Sequence, residues 1–134
     1  MSTPTVLFLC THNAGRSQMA LGFFSHLAGD RATALSGGST PAEQINAAAI
    51  EVMAEKGIDI TSAHPKVWTN DMVEAADVVV TMGCGDTCPF IPGRRYEDWQ
   101  LPDPAGQSVE SVRPIRDEIE YRVRQLLSQL GVPS

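Results

Sequence analysis

Cys10-Thr11-His12-Asn13-Ala14-Gly15-Arg16-Ser17 has the residue types and spacing to do chemistry. It follows the apolar run Thr5-Val6-Leu7-Phe8-Leu9 and opens a helical pattern through Met19, Ala20, Phe23, Phe24 and Leu27. A strand that delivers a cysteine, then a tight loop and an arginine at the head of a helix, can hold an oxyanion over a thiolate. The residues between Cys10 and Arg16 let the backbone curl so that successive N–H groups point inward. Such a nest, closed by a helix N-terminus, binds a tetrahedral anion without a metal. The Arg16 guanidinium can grip two anion oxygens at once, which a lysine cannot. The same surroundings favour ionised sulfur over the thiol, and Ser17 can add a hydroxyl hydrogen bond to it. The competing reading is a buried packing cysteine beside a surface arginine, since cysteine is among the most buried residue types. Placement between strand and helix, with serine directly after the arginine, favours the anion site.

After the first helical pattern, Ala32–Ser36 reads as a weak second strand ended by Gly37-Gly38. Pro41 to Lys56 carries helical periodicity through Ile45, Ala48, Ala49, Val52 and Met53, with Gly57 as its C-terminal stop. Ile58-Asp59-Ile60 suits an extended connector. Trp68, Met72, Val73 and Ala76 suit a short helix capped by Thr69 or Asn70. Asp77–Met82 is a continuous β-branched run, the signature of a parallel strand covered on both faces. Arg95–Trp99 reads as a short edge strand. From Val109 onward, Val112, Ile115, Ile119, Val123, Leu126, Leu127 and Leu130 step by three and four, giving a long amphipathic helix with Pro114 expected in its first turn. Strand and helix alternate, so the expected class is α/β, a parallel sheet with helices on both faces. In such sheets ligands sit beyond the carboxyl ends of the strands, and Cys10 ends the first one.

Val6-Leu7-Phe8-Leu9-Cys10-Thr11-His12-Asn13-Ala14-Gly15-Arg16-Ser17-Gln18-Met19-Ala20 resembles the opening of the low-molecular-weight protein tyrosine phosphatases and of the arsenate reductases that share their fold. The resemblance covers nearly the whole chain and selects the arsenate reductase branch. It implies a four-stranded sheet in the order 2-1-3-4 and, by position, an anion cradle made of Thr11, His12, Asn13, Ala14, Gly15, Arg16 and Ser17. It also implies a thiol relay. Cys10 attacks arsenate, Cys84 attacks Cys10, and Cys88 attacks Cys84, leaving a disulfide for thioredoxin to reduce. Asp103, in Leu101-Pro102-Asp103-Pro104, is by resemblance the acid that protonates the leaving oxygen. A plain turn is the alternative for that segment.

Met82-Gly83-Cys84-Gly85-Asp86-Thr87-Cys88-Pro89 directly follows the β-branched strand, and its glycines suit a moving relay segment. Cys84 and Cys88 can close a disulfide where their Cα atoms approach within about 7 Å. The pair can otherwise be two packing cysteines, or bystanders to an outside thiol. Half a zinc site is a poorer fit, because His12, His26 and His64 are scattered and no second ligand pair has suitable spacing. The chain departs from family patterns in two places. Many relatives carry a second cysteine where Gly15 stands, and relatives with a bound potassium ion carry a glutamate where Leu21 stands. No metal or other cofactor is therefore expected. The aromatic residues that flank a phenyl substrate after Asp-Pro in the phosphatases are replaced by Ala105-Gly106, leaving only Trp99 nearby, so a small free oxyanion suits the site better.

At 134 residues one domain over 1–134 is expected, with room for a real core. The net charge of -6 argues against a nucleic-acid partner. No apolar run approaches the roughly 20 residues of a membrane span, and Met1-Ser2-Thr3-Pro4 lacks the marks of a secretory signal. Three cysteines, two of them close together, suit redox chemistry in a reducing compartment rather than a disulfide scaffold. The reading is a cytoplasmic arsenate reductase, monomer or homodimer, regenerated by thioredoxin. The alternatives are a reductase served by a small-molecule thiol with a glutaredoxin- or mycoredoxin-like partner, and a phosphotyrosine phosphatase.

Overall fold

The computed structural model describes residues 3–82 and 95–132. Its described strands, β1 (Thr5–Cys10), β2 (Thr33–Gly38), β3 (Val78–Thr81) and β4 (Arg95–Asp98), form one parallel sheet in the order β2-β1-β3-β4. This is the expected order 2-1-3-4. The helices are α1 (Arg16–Ala28), α2 (Ala47–Ala54), α3 (Asn70–Ala75) and α4 (Val109–Gln129). None of the described helices is long and apolar enough to cross a membrane.

The central strand is buried on both faces, and its side chains alternate between two cores. Val6, Phe8 and Cys10 join the larger one with Phe24 of α1, Val52 and Met53 of α2, and Ile119, Val123 and Leu127 of α4. Leu7 and Leu9 face the smaller one with Val73, Ala76 and Val79. Phe8 meets Phe24 edge-on at 5.8 Å between centroids, and Trp99 lies at the same distance on a tilt. A Phe buried in this way costs about 3–5 kcal/mol to truncate to alanine. The strand carrying Cys10 is thereby anchored in both cores.

The structure moves three boundaries. β2 does not stop at Gly37-Gly38: both glycines are in the strand, paired with Leu9 and Cys10. They are there for closeness rather than for turning, since a Cβ on Gly37 would lie 2.8 Å from the Trp68 Cα and one on Gly38 2.7 Å from the Thr11 carbonyl oxygen. α2 begins at Ala47, not near Pro41, because residues 40–46 spend their backbone on the loop after β1. Pro114 sits in the second turn of α4 rather than its first. The Ser108 side chain accepts from the Ser111 amide and starts the helix ahead of the proline. Two expected caps are present. Thr69 Oγ1 accepts from the Met72 amide, and Gly57 takes a left-handed φ of 76° as the chain leaves α2.

α2 is fastened to α4 by charge. Arg116, nearly buried, donates to the Val52 carbonyl at 3.0 Å and to Glu55 at 2.6 Å, and Arg113 reaches the same carboxylate at 2.7 Å. Hydrogen bonds from Arg113 and then Arg116 bring the Glu55 carboxyl down from 4.5 to about 2. A depressed folded value means the stabilisation is complete above about 4.5 and is lost as pH falls toward 2. Glu55→Gln is expected to lower the urea midpoint at pH 7. The gap from the parent protein should close as pH falls through that window, followed by circular dichroism.

Candidate active site

The loop after β1 is shaped by where its carbonyls go. The Thr11 carbonyl accepts from the Thr40 amide at 2.8 Å, that of His12 from Ala42 at 3.0 Å, and that of Ala14 from Asn46 at 2.8 Å. The segment before α2 thus draws the loop carbonyls outward. A trans peptide directs its N–H opposite to its C=O, so the amides of His12, Asn13 and Gly15 are turned to the inside. The Asn13 amide does reach the Cys10 Sγ, at 3.3 Å. One of these inward donors thus bonds the sulfur.

Asn13 is the pivot of the curl. Its φ of 51° is left-handed, at a cost of about 1–2 kcal/mol for an ordinary residue and less for asparagine. Its Nδ2 donates to Ser17 Oγ at 2.7 Å, and its Oδ1 accepts from Gln18 Nε2 at 3.1 Å and from the Lys66 amide at 3.0 Å. At about 1 kcal/mol each, these bonds outweigh the backbone strain. Ser17 Oγ, held by Asn13, lies 2.9 Å from Cys10 Sγ. α1 then starts at Arg16 with Gly15 as its N-cap and no side chain capping it. α2, α3 and α4 are each capped by their own asparagine, threonine or serine. The uncapped first turn of α1 thus meets the sulfur through Ser17.

Arg16 and Asp103 meet over this loop. Arg16 is buried, donates from Nη1 to the Leu101 carbonyl at 3.3 Å, and places Nη2 3.7 Å from Asp103 Oδ2. Asp103 is half exposed, and its Oδ1 accepts from the Ala105 amide at 2.9 Å. The chain around Asp103 is thus a turn, as its composition suggests, and is also part of the site. Together they form a cleft of about 280 Å³ lined by Cys10, His12, Arg16, Gln44, Asn46 and Asp103 among others. Trp99 does not wall it, because the indole is buried against Phe8 and donates to Glu97 Oε1 at 3.0 Å.

Cys10, Thr11, His12, Asn13, Ala14, Gly15, Arg16 and Ser17 are therefore brought together as one loop, with Asp103 facing it. Cys84 and Cys88 lie outside the described residues. Sequence reasoning missed Gly38, Asn46 and Gln18. A glycine level with Cys10 on the neighbouring strand was one available signal. An asparagine just before the Ala-rich start of α2 was another.

The family model for low molecular weight phosphotyrosine protein phosphatase matches residues 5–132. The chain belongs to this family. It is similar to a putative arsenate reductase of Halobacterium salinarum, 38% identical over 135 residues covering 97% of this chain and 95% of that protein. It is also similar to the glutaredoxin arsenate reductase of Synechocystis, 36% identical over 129 residues covering 94% of this chain and 98% of that one. Among solved structures, a thioredoxin-dependent arsenate reductase of Corynebacterium glutamicum matches with a TM-score of 0.83 and 42% identity. That match covers 98% of this chain, which spans only 63% of the longer Corynebacterium chain.

Because an added Cβ at Gly38 would also lie 3.0 Å from the Asn13 amide nitrogen, Gly38→Ala must displace the loop. The variant is expected to fold but to bind oxyanions at least about tenfold more weakly, the scale of one or two lost charge-assisted hydrogen bonds. Sulfate protection of Cys10 against iodoacetamide measures it.

Proposed function

We propose that this chain reduces arsenate to arsenite, with Cys10 as nucleophile and thiols as the source of both electrons. The observation that carries this reading is the Cys10 sulfur bonded by the Asn13 amide and Ser17, in one cleft with Arg16, in a chain similar over nearly all its length to arsenate reductases. Arsenate binds across the loop amides and the Arg16 guanidinium. The Cys10 thiolate attacks arsenic, the As–O bond breaks, and the departing oxygen takes a proton from Asp103. A Cys10–arsenic bond results.

The second half is a relay of electron pairs. The Cys84 thiolate attacks the Cys10 sulfur, the S–As electrons pass to arsenic, and arsenite leaves. The Cys10–Cys84 disulfide is then resolved by Cys88, which frees the Cys10 thiolate and leaves Cys84–Cys88 oxidised. Thioredoxin reduces that disulfide. Topology supports this route. β3 is the strand beside β1, Thr81 pairs with Leu9, and the Met82 amide donates to the Leu9 carbonyl at 2.7 Å. The chain thus leaves β3 at the Cys10 end of the sheet, with Cys84 two residues on in sequence.

A second reading keeps the Cys10 chemistry but takes the second thiol from a small molecule, with a glutaredoxin-type partner. The likeness to the Synechocystis glutaredoxin arsenate reductase favours it. A phosphotyrosine phosphatase fits less well, since the cleft lining carries no Phe, Tyr or Trp among the described residues.

NADPH oxidation coupled through thioredoxin reductase and thioredoxin is expected to depend on arsenate. It should vanish in Cys10→Ser, and multiple turnover should vanish in Cys84→Ser and Cys88→Ser. Full multiple turnover by both of the latter would discard the internal relay in favour of the outside thiol.

A further inference from the structure

Asn46 touches the three segments that must agree for a proton to reach the oxyanion. Its backbone amide donates to the Ala14 carbonyl of the anion loop at 2.8 Å. Its Oδ1 accepts from the Ala49 amide at 3.0 Å and so caps α2. Its Nδ2 donates to the Pro104 carbonyl, one residue beyond Asp103, at 3.3 Å. On the other side of Asp103, Arg16 holds the Leu101 carbonyl at 3.3 Å. The acid segment is therefore tied to the anion loop at both ends, and only the Asn46 tie is made by a residue with no charge to offer the substrate.

The contact between the tied segments is close. Gly15 lies under the Pro104 ring, and a Cβ there would come within 2.5 Å of Pro104 Cγ. The segment thus rests on the loop backbone while Asn46 keeps it there. Asp103 itself is half exposed, and its contact with Arg16 is long, at 3.7 Å. That contact alone is a weak positional restraint, of the order expected for an exposed ion pair.

We propose that Asn46 is a positioning residue for the proton donor: through the Pro104 carbonyl it sets where Asp103 stands relative to an anion bound over Cys10. The proposal rests on the reading of Asp103 as the acid. An error of about 1 Å in the placement of a catalytic group can cost 100-fold in rate, so one hydrogen bond at this point has leverage on turnover rather than on binding.

The test uses Asn46→Ser, because serine caps helices about as well as asparagine but cannot reach Pro104. Asn46→Thr serves as a second capping variant. Both should melt close to the parent protein. Arsenate turnover at saturating arsenate is expected to fall roughly 10- to 100-fold, with arsenate protection of Cys10 from iodoacetamide unchanged. In an Asp103→Asn background the serine change should cost nothing further, since the group it positions is gone. An equal loss in both backgrounds, or a loss confined to anion binding, overturns the proposal and leaves the acid reading standing. Unchanged turnover in Asp103→Asn overturns the acid reading, and the proposal with it.

Discussion

Everything at this site depends on carbonyl oxygens pointing away from it. A loop wound round an anion has to dispose of one acceptor for every donor it turns inward, and a buried unpaired carbonyl is costly. Here the acceptors of Thr11, His12 and Ala14 are satisfied by amides of Thr40, Ala42 and Asn46. The curl of the loop is thus built as much by the segment before α2 as by the residues that follow the cysteine. The short length of α2 follows from the same constraint, since amides used on the loop cannot begin a helix.

Sheet order then fixes what can face the sulfur. β1 lies between β2 and β3, and the residues that follow both neighbours emerge at the Cys10 end. β2 contributes Gly38 beneath the loop and, beyond it, the segment that binds the loop carbonyls. β3 sends the chain onward from Thr81 beside Leu9. β4 leads through Trp99 into the Asp103 turn. Burial of Phe8 among Phe24 and Trp99 holds this frame rigid, which matters because donors aimed at an anion act by being fixed beforehand.

Much of this was legible in the residues. The Cys10–Ser17 loop, the buried β3, a parallel sheet, the caps at Thr69 and Gly57 and the long α4 follow from local spacing and periodicity, while the strand order comes from the family resemblance. What was not legible depends on contacts between distant segments. Gly37-Gly38 reads as a strand stop because glycine weakens strands. It is instead a place where Trp68 and the anion loop press against the backbone. Residues 41–46 have helical periodicity yet hydrogen-bond elsewhere. Pro114 points to a first turn, but Ser108 caps one turn earlier. Asn46 is lost inside the helical pattern drawn from Pro41, and its Pro104 bond joins residues 58 positions apart.

Gly15 bears on both the cysteine loop and the Asp103 segment. The resemblance marks it as the position where many relatives carry a second loop cysteine. A side chain there would collide with Pro104 as the Asp103 segment now rests. A cysteine at this position and the present approach of that segment therefore exclude each other in this chain. The glycine removes any chance of a disulfide within the loop, and in exchange the Asp103 turn lies directly on the loop backbone. Protection of the Cys10 sulfur must then come from its burial, at 2% exposure, and from its bonds to Ser17 and the Asn13 amide. The contacts that shield the sulfur are those of the loop itself, and the cleft that Cys10 lines is the one Arg16 and Asp103 border.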